Sequence, residues 1–138
     1  MGTTVELRRL PDPGTIYRLL IYCKAPPEIS AAAVSVNKTL AGELLQLPPE
    51  RRTMQLDRCF TKLLNSLPAN PVLKDIDVMF HPDYRVDVMR ILLSAYKNKP
   101  YSLIWPGGYS DGRLTYSEEG LPDYRVFAIS DYDVMCVV

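Results

Sequence analysis

The sequence predicts an α/β fold, a single-domain three-layer sandwich with a mainly parallel sheet and a C-terminal β-hairpin or edge strands. Short apolar runs alternate with helical patterns along the chain, an order typical of strands joined by crossover helices. The composition agrees, since 47% of the 138 residues are hydrophobic and 23% are charged, as in ordinary globular proteins. We therefore expect one domain, with one core, over residues 1–138.

The first half of the chain predicts two strands and two helices. The run YRLLIYC from Tyr17 to Cys23 follows a proline-rich turn and is typical of a buried strand. A short strand is expected over 33–36, and then a helix over 38–47 with Asn37 as its N-cap. Two prolines end that helix and begin a second one, expected over 50–67.

The second half predicts a central strand over 72–80 and a helix that runs from an Asp83 N-cap to Lys97. Lys97 and Lys99 are expected to stabilise the C-terminal end of this helix through its dipole. The next strand is expected over 101–105. Candidate closing strands lie at 113–116, 126–129 and 134–138.

The helix over 50–67 has an apolar and a basic face. Its apolar stripe consists of Leu56, Phe60, Leu63 and Leu67. Arg51, Arg58 and Lys62 fall on the opposite face. A solvated helix face is the first interpretation of these cations, and a partner-binding stripe is the second.

The 16 basic and 16 acidic residues give a net charge of zero, which argues against non-specific binding to nucleic acid or to an anionic membrane. The two halves of the chain differ, because residues 1–65 sum to +3 and residues 66–138 sum to −3. From Asp111 onward there are six acids and two arginines. We expect an acidic surface there, of a kind that more often contacts proteins than nucleic acid.

The three cysteines lie far apart in apolar surroundings, as expected of reduced core residues in a cytoplasmic protein. His81 is the only histidine, so no Cys/His zinc cluster is predicted. A nucleophilic pair of His81 with one cysteine stays open. The N-terminus has no targeting pattern, and no apolar run reaches the ~20 residues that a membrane span needs.

Asp75 and Asp77 alternate along the strand predicted over 72–80, which would place both carboxylates on one face. With Asp83 and Asp87 nearby, they could hold a divalent cation, as in metal-dependent nucleases and phosphoesterases. The alternative is structural, with each acid bonding a neighbouring loop.

Trp105 is the only tryptophan, and it precedes a turn-rich loop over 106–112. Ligands of open α/β sheets bind at the carboxyl ends of strands, where this loop is expected to lie. Trp105, Gly107 and Tyr109 are therefore candidate interaction residues. A tryptophan that only closes the core is the alternative.

A phosphate-binding loop after the first strand needs glycines, a lysine and a Ser or Thr. The chain has KAPPEIS there, from Lys24 to Ser30, without any glycine. Pro26 and Pro27 lack N–H donors, and Glu28 would repel phosphate. We therefore expect no nucleotide-binding residues in this segment.

Five segments carry a resemblance to a known family. They are VSVNKTLAGELLQLPPERR (34–52), VLKDIDVMF (72–80), LLSAYKNKP (92–100), LIWPGGYSDGRLTY (103–116) and GLPDYRVF (120–127). In order and spacing they resemble BrxF, the small P-loop-containing protein of BREX phage-defence systems. The resemblance implies a P-loop-NTPase-like sheet with an acidic Walker-B-like strand at Lys74, Asp75 and Asp77.

This chain departs from the family pattern at both nucleotide-contacting positions. KAPPEIS replaces the phosphate loop, and Lys74 aligns with the aspartate that would hold magnesium, while the later acid is kept as Asp77. The resemblance therefore implies a degenerate, non-catalytic member without ATP or magnesium as cofactor.

The function expected from the resemblance is that of an interaction component of a bacterial BREX-type system, located in the cytoplasm. Its partners would be other proteins of that system, and homo-oligomerisation stays open. Besides the basic helix face and the loop after Trp105, the acidic C-terminal region is a candidate surface, with Tyr124 and Arg125 in it. The alternatives are a metal-dependent phosphoesterase or nuclease and a nucleic-acid-binding module that uses basic and aromatic side chains.

Overall fold

The computed structural model of the chain describes all 138 residues. Nine strands form two sheets: β1 (Thr3–Val5), β2 (Leu19–Tyr22), β3 (Val34–Ser35), β4 (Val72–Lys74), β5 (Ser102–Ile104), β6 (Gly108–Ser110), β7 (Arg113–Tyr116), β8 (Arg125–Ala128) and β9 (Val134–Val137). The larger sheet is parallel throughout, in the order β1-β9-β2-β5-β4-β3. The smaller sheet is antiparallel, in the order β6-β7-β8.

Four α-helices connect the strands of the parallel sheet: α1 (Pro27–Ala32), α2 (Asn37–Leu45), α3 (Pro49–Asn65) and α4 (Val88–Asn98). Short 3₁₀ helices lie at 7–9, 13–15, 77–80 and 129–131. The antiparallel sheet is inserted between β5 and β9, which confirms the α/β class and the small C-terminal sheet.

The two faces of the parallel sheet have cores of different size. One face packs against α2, α3 and α4 in a cluster of 26 buried residues, to which β2 contributes Leu19 and Ile21. The opposite face buries Leu20, Tyr22 and Val137 beneath partly buried residues of the N-terminal segment and of α1. Alternate residues of β2 thus point into both cores, which explains why this strand is apolar throughout. The arrangement is a three-layer sandwich.

The predicted strand over 72–80 is wrong in its second half. The strand ends at Lys74, Asp75 adopts a left-handed conformation with φ of 54°, and Asp77 begins a 3₁₀ helix. Asp and Asn tolerate this conformation better than other non-glycine residues. The backbone therefore turns out of the sheet immediately after β4.

Two predicted helix caps are also wrong. Asp87, and not Asp83, accepts the capping hydrogen bond from the N–H of Arg90 at the start of α4. Asn37 is the first residue of α2 and makes no cap; its side chain contacts the 3₁₀ helix after β4 instead.

Three short elements are absent from the prediction. They are β1, α1 and β6, with lengths of three, six and three residues. Elements this short carry too few residues to show a period.

Candidate functional site

The carboxyl ends of all parallel strands meet at one edge of the sheet, here called the carboxyl edge, where α/β proteins bind ligands. It contains the segment after β2, Asn37 after β3, Asp75 and Asp77 after β4, and Trp105 after β5. The carboxyl edge therefore contains the segment considered for nucleotide binding and two of the four acids considered for metal binding, Asp75 and Asp77, whereas Asp87 caps α4 and lines a groove elsewhere.

The segment after β2 offers few donors to a phosphate. Pro26 precedes α1 without a side-chain cap, and Pro27 is its first residue, so neither position has an N–H. Glu28 is exposed in the first turn, where its charge opposes an anion. Lys24 is exposed and forms no ion pair with an acidic residue.

Lys74 and Asp75 both contact neighbouring protein groups. The Lys74 ammonium donates to the carbonyl of Ser30 in α1 across 3.3 Å. The Asp75 carboxylate is exposed and accepts a hydrogen bond from the Ser35 hydroxyl of β3 at 2.7 Å. These contacts connect β4 to α1 and to β3.

Asp77 is the centre of a half-buried hydrogen-bond network. Its two carboxylate oxygens accept from the Asn37 amide at 3.1 Å and from the Tyr116 hydroxyl at 3.0 Å. Asn37 in turn accepts from the N–H of Val78 at 2.8 Å. Burial and the hydrogen bond to Asp77 raise the pKa of Tyr116. The network links α2, the 3₁₀ helix after β4 and the antiparallel sheet.

The expected pair of carboxylates on one strand face is therefore wrong, because the backbone leaves the strand between Asp75 and Asp77. One of these acids bonds Ser35, and the other bonds Asn37 and Tyr116. No group of three or more His, Cys, Asp or Glu residues is arranged to hold a metal ion.

Trp105 is 5% exposed and closes the core below the antiparallel sheet. Its indole N–H donates to the carbonyl of Thr115 at 2.8 Å. Its ring packs edge-to-face on Phe80 and Phe127, both at centroid distances of 5.8 Å. Little of Trp105 is left for a partner to contact.

The other candidates in the antiparallel sheet are partly used by the fold. The Tyr109 hydroxyl accepts from the N–H of Gly112, and the Arg125 guanidinium donates to the carbonyls of Pro122 and Tyr124. Tyr109, Tyr124 and Arg125 are half-buried, whereas Gly107 is exposed.

A large cavity lies away from the carboxyl edge, between α3 and α4. This helix groove has a volume of about 830 Å³. It is lined by Thr53, Met54, Asp57, Arg58, Thr61, Lys62, Asn65, Arg85, Val86, Asp87, Arg90, Ile91, Ser94, Ala95 and Asn98. Four of these residues are cationic and two are anionic, so the lining is net positive.

The cations of the helix groove are largely free to bind an external anion. Arg58, Arg85 and Arg90 are exposed and form no ion pair, whereas Lys62 approaches Glu43 at 3.3 Å. Arg51 is exposed on the same helix but does not line the groove. Two of the three cations predicted from α3 thus lie in the groove.

Sequence reasoning missed Arg85 and Arg90. They flank the Asp87 cap, so an assignment of that cap would have placed Arg90 in the first turn of α4. That this turn faces the middle of α3 depends on the packing of two helices far apart in sequence, which no local pattern shows.

An acidic loop, residues 117–123, projects between β7 and β8. Glu118 and Glu119 are exposed in it, and Leu121 exposes 51% of its surface. The Ser117 hydroxyl closes the base of the loop by donating to Asp123 at 2.6 Å.

The cysteines and the histidine lie in different surroundings. Cys136 lies in β9, and the neighbouring Cys23 side chain together with burial raises the pKa of Cys136. His81 is exposed and accepts from the N–H of Asp83. Its other close contact is with the ring of Tyr84, at a centroid distance of 5.1 Å.

None of the helices combines the length and the apolar character needed to cross a lipid bilayer. The chain matches no protein-family model, no curated protein and no solved structure.

Proposed function

We propose that this protein is a non-catalytic interaction component of a bacterial BREX-type anti-phage system, and that it binds other proteins through its charged surfaces. The observation that carries the proposal is the state of the carboxyl edge. The side chains at which a P-loop protein would hold nucleotide and magnesium bond other parts of the same chain, through Lys74, Asp75 and Asp77.

The absence of phosphate donors after β2 supports the same proposal. A phosphate loop surrounds its ligand with successive backbone N–H groups. Here two consecutive prolines and the exposed Glu28 occupy that position. Such a site would lack both the donors and the positive field that nucleotide binding requires.

Protein binding is favoured over nucleic-acid binding by the charge distribution. The helix groove contains Asp57 and Asp87 among its cations, and the whole chain has no net charge. A phosphate backbone would meet repulsion from both acids, whereas a protein surface can present a mixed pattern of charge and apolar contact. The resemblance to BrxF supports cytoplasmic partners from the same defence system.

A binding experiment tests this function. The chain would be immobilised and exposed separately to the phosphatase-domain protein, the methyltransferase and the large ATPase of a BREX system. We expect one of them to bind with a Kd of about 10 µM or tighter. Reversal of surface charge, in Arg58→Glu with Arg90→Glu or in Glu118→Lys with Glu119→Lys, should weaken that binding about tenfold or more.

The matched control is Arg51→Glu with Lys97→Glu, which makes the same charge change on α3 and α4 outside the helix groove. We expect this variant to bind as the unmodified chain does. If none of the three proteins binds at about 100 µM, or if the control variant is as weak as the others, docking through these surfaces is refuted.

A further inference from the structure

The acidic loop and the helix groove are complementary in charge and in apolar contact. The loop presents Glu118 and Glu119 next to the exposed Leu121. The groove presents Arg58, Lys62, Arg85 and Arg90 next to exposed apolar surface, since Met54 in its lining is 76% exposed. From this match we propose that the helix groove of one copy binds the acidic loop of a second copy, so that the protein associates head to tail.

The loop is ordered before it binds. The Ser117 to Asp123 bond joins its two ends, and the N–H groups of Leu121 and Tyr124 donate to the carbonyls of Glu118 and Leu121 at 3.1 Å each. Gly120 supplies the positive φ of 92° that the turn needs. A segment held in one shape loses little conformational entropy on docking.

Most of the charged side chains on the acidic loop and in the helix groove have no ion-pair partner within the same molecule. Glu118 and Glu119 form no ion pair, and the same is true of Arg58, Arg85 and Arg90. Arginines bind carboxylates through two parallel hydrogen bonds, which gives such a contact direction as well as attraction. Two acids and several arginines thus remain available for a contact between molecules.

Apolar contact distinguishes this occupant from a simple anion. Leu121 lies between the acids of the loop and Pro122, and it is among the few large hydrophobic residues that the chain exposes. The groove provides Met54, Val86, Ile91 and Ala95 as apolar lining. Leu121 would be removed from water when it packs among these residues, while the carboxylates of Glu118 and Glu119 contact the cations at the rim of the groove.

Two different surfaces are involved, so the contact is heterologous. A chain of associated copies keeps one free groove at one end and one free loop at the other. A loop of seven residues buries a small interface, below about 1,200 Å² in total. We expect a Kd of about 10–100 µM. Salt should weaken it, since charges are screened within about 3 Å at 1 M ionic strength.

The inference rests on the proposed function only in treating the groove as a docking surface, and its test uses the isolated chain. Sedimentation velocity of the full chain would be measured from about 5 µM to 1 mM, a range that spans the expected Kd. The unmodified protein should sediment faster as its concentration rises. Arg58→Glu with Arg90→Glu and Glu118→Gln with Glu119→Gln should each stay monomeric, and Arg51→Glu with Lys97→Glu should associate normally.

Mixing the first two variants gives the sharpest readout. The intact loop of the groove variant should enter the intact groove of the loop variant, and this pair cannot extend. The mixture should therefore form a species of twice the monomer mass and nothing larger. The inference is overturned if the unmodified chain is monomeric throughout, if either variant still associates alone, or if the mixture stays monomeric.

A monomeric unmodified chain would distinguish failure of this inference from failure of the proposed function. A chain that stays monomeric at 1 mM but loses a defence-system partner on Arg58→Glu with Arg90→Glu would have another protein in its groove. In that case self-association is refuted and protein docking stands.

Discussion

Gly107, the residue before β6, lies very close to the backbone of β7. A Cβ built there would lie 1.9 Å from the carbonyl oxygen of Thr115 and 2.9 Å from its carbonyl carbon. The same oxygen accepts the Trp105 indole N–H. Glycine is thus required by the backbone contact that positions the antiparallel sheet over the end of β5.

Replacing this glycine should therefore destabilise the protein. Gly107→Ala must displace backbone atoms of β7, and we expect a loss of about 2 kcal/mol or more in the free energy of unfolding. Urea unfolding, followed by the fluorescence of the single, buried tryptophan, measures it. Gly42→Ala is the control, because no atom lies within 4 Å of the added Cβ in the middle of α2. It should stabilise by about 0.5–1 kcal/mol, and equal effects of the two changes would contradict the close approach.

Tyr116 should make the protein sensitive to alkali. Burial and the hydrogen bond to Asp77 raise its pKa, whereas the unfolded chain releases this proton near pH 10. Above about pH 10 the folded state then holds more protons than the unfolded state, so the free energy of unfolding falls as the pH rises.

Tyr116→Phe keeps the ring that stacks on Phe80 at 4.0 Å and removes the titrating hydroxyl. In urea unfolding between about pH 9 and pH 11, we expect the free energy of unfolding of this variant to fall less steeply with pH than that of the unmodified chain. The difference in slope should correspond to at most about one proton released on unfolding. Identical slopes for the unmodified chain and Tyr116→Phe would rule out this linkage.

At the scale of elements, the end of α3 depends on a cation from another helix. Lys99, just after α4, donates to the carbonyl of Leu64 at 2.9 Å and also to that of Leu67. Sequence reasoning assigned Lys99 to the end of α4, but its ammonium bonds Leu64 in the last turn of α3 and Leu67 just after that helix, where helix carbonyls lack the usual partner four residues on.

The matched pair Lys99→Met and Lys97→Met tests this role. Lys99→Met keeps the apolar stem but leaves the Leu67 carbonyl without its donor, while the Leu64 carbonyl keeps only the N–H of Leu67. This loss should cost about 1–3 kcal/mol in the free energy of unfolding. Lys97 is exposed near the end of α4, so Lys97→Met should change stability by less than about 0.5 kcal/mol. Thermal and urea unfolding both measure the difference, and a loss for Lys97→Met as large as that for Lys99→Met would contradict it.

Elements with a regular apolar pattern were predicted correctly from the sequence, whereas features set by a single residue or by helix packing were not. The pattern predicted the buried face of α3 correctly at Leu56, Phe60 and Leu63, which repeat at the helical period and are buried. Leu67, the fourth residue of the predicted stripe, is half-buried just after the helix ends at Asn65. The apolar strand β2 was found for a similar reason. The turn at Asp75 was not predicted, because a single residue in the left-handed conformation produces no periodic pattern in the sequence. The helix groove was not predicted as a binding site because it depends on how α3 packs against α4.

For the whole molecule, zero net charge conceals two surfaces of opposite sign. The division does not follow the two halves of the chain, because Arg85 and Arg90 from the acidic half join Arg58 and Lys62 in the helix groove. Helices connect the strands of the parallel sheet, and the side chains at its carboxyl edge bond other parts of the same chain. Exposed charges of the two signs are instead grouped in the helix groove and in the acidic loop.

We propose that the carboxyl edge binds no nucleotide, and a calorimetric titration of the full chain with ATP and magnesium tests this proposal. We expect no heat beyond that of dilution at ATP concentrations up to about 1 mM, where even weak binding of about −4 kcal/mol would be visible. Asp77→Asn, with its fold checked by circular dichroism, provides the comparison. Micromolar, magnesium-dependent binding that is lost in Asp77→Asn would show that the carboxyl edge does bind nucleotide.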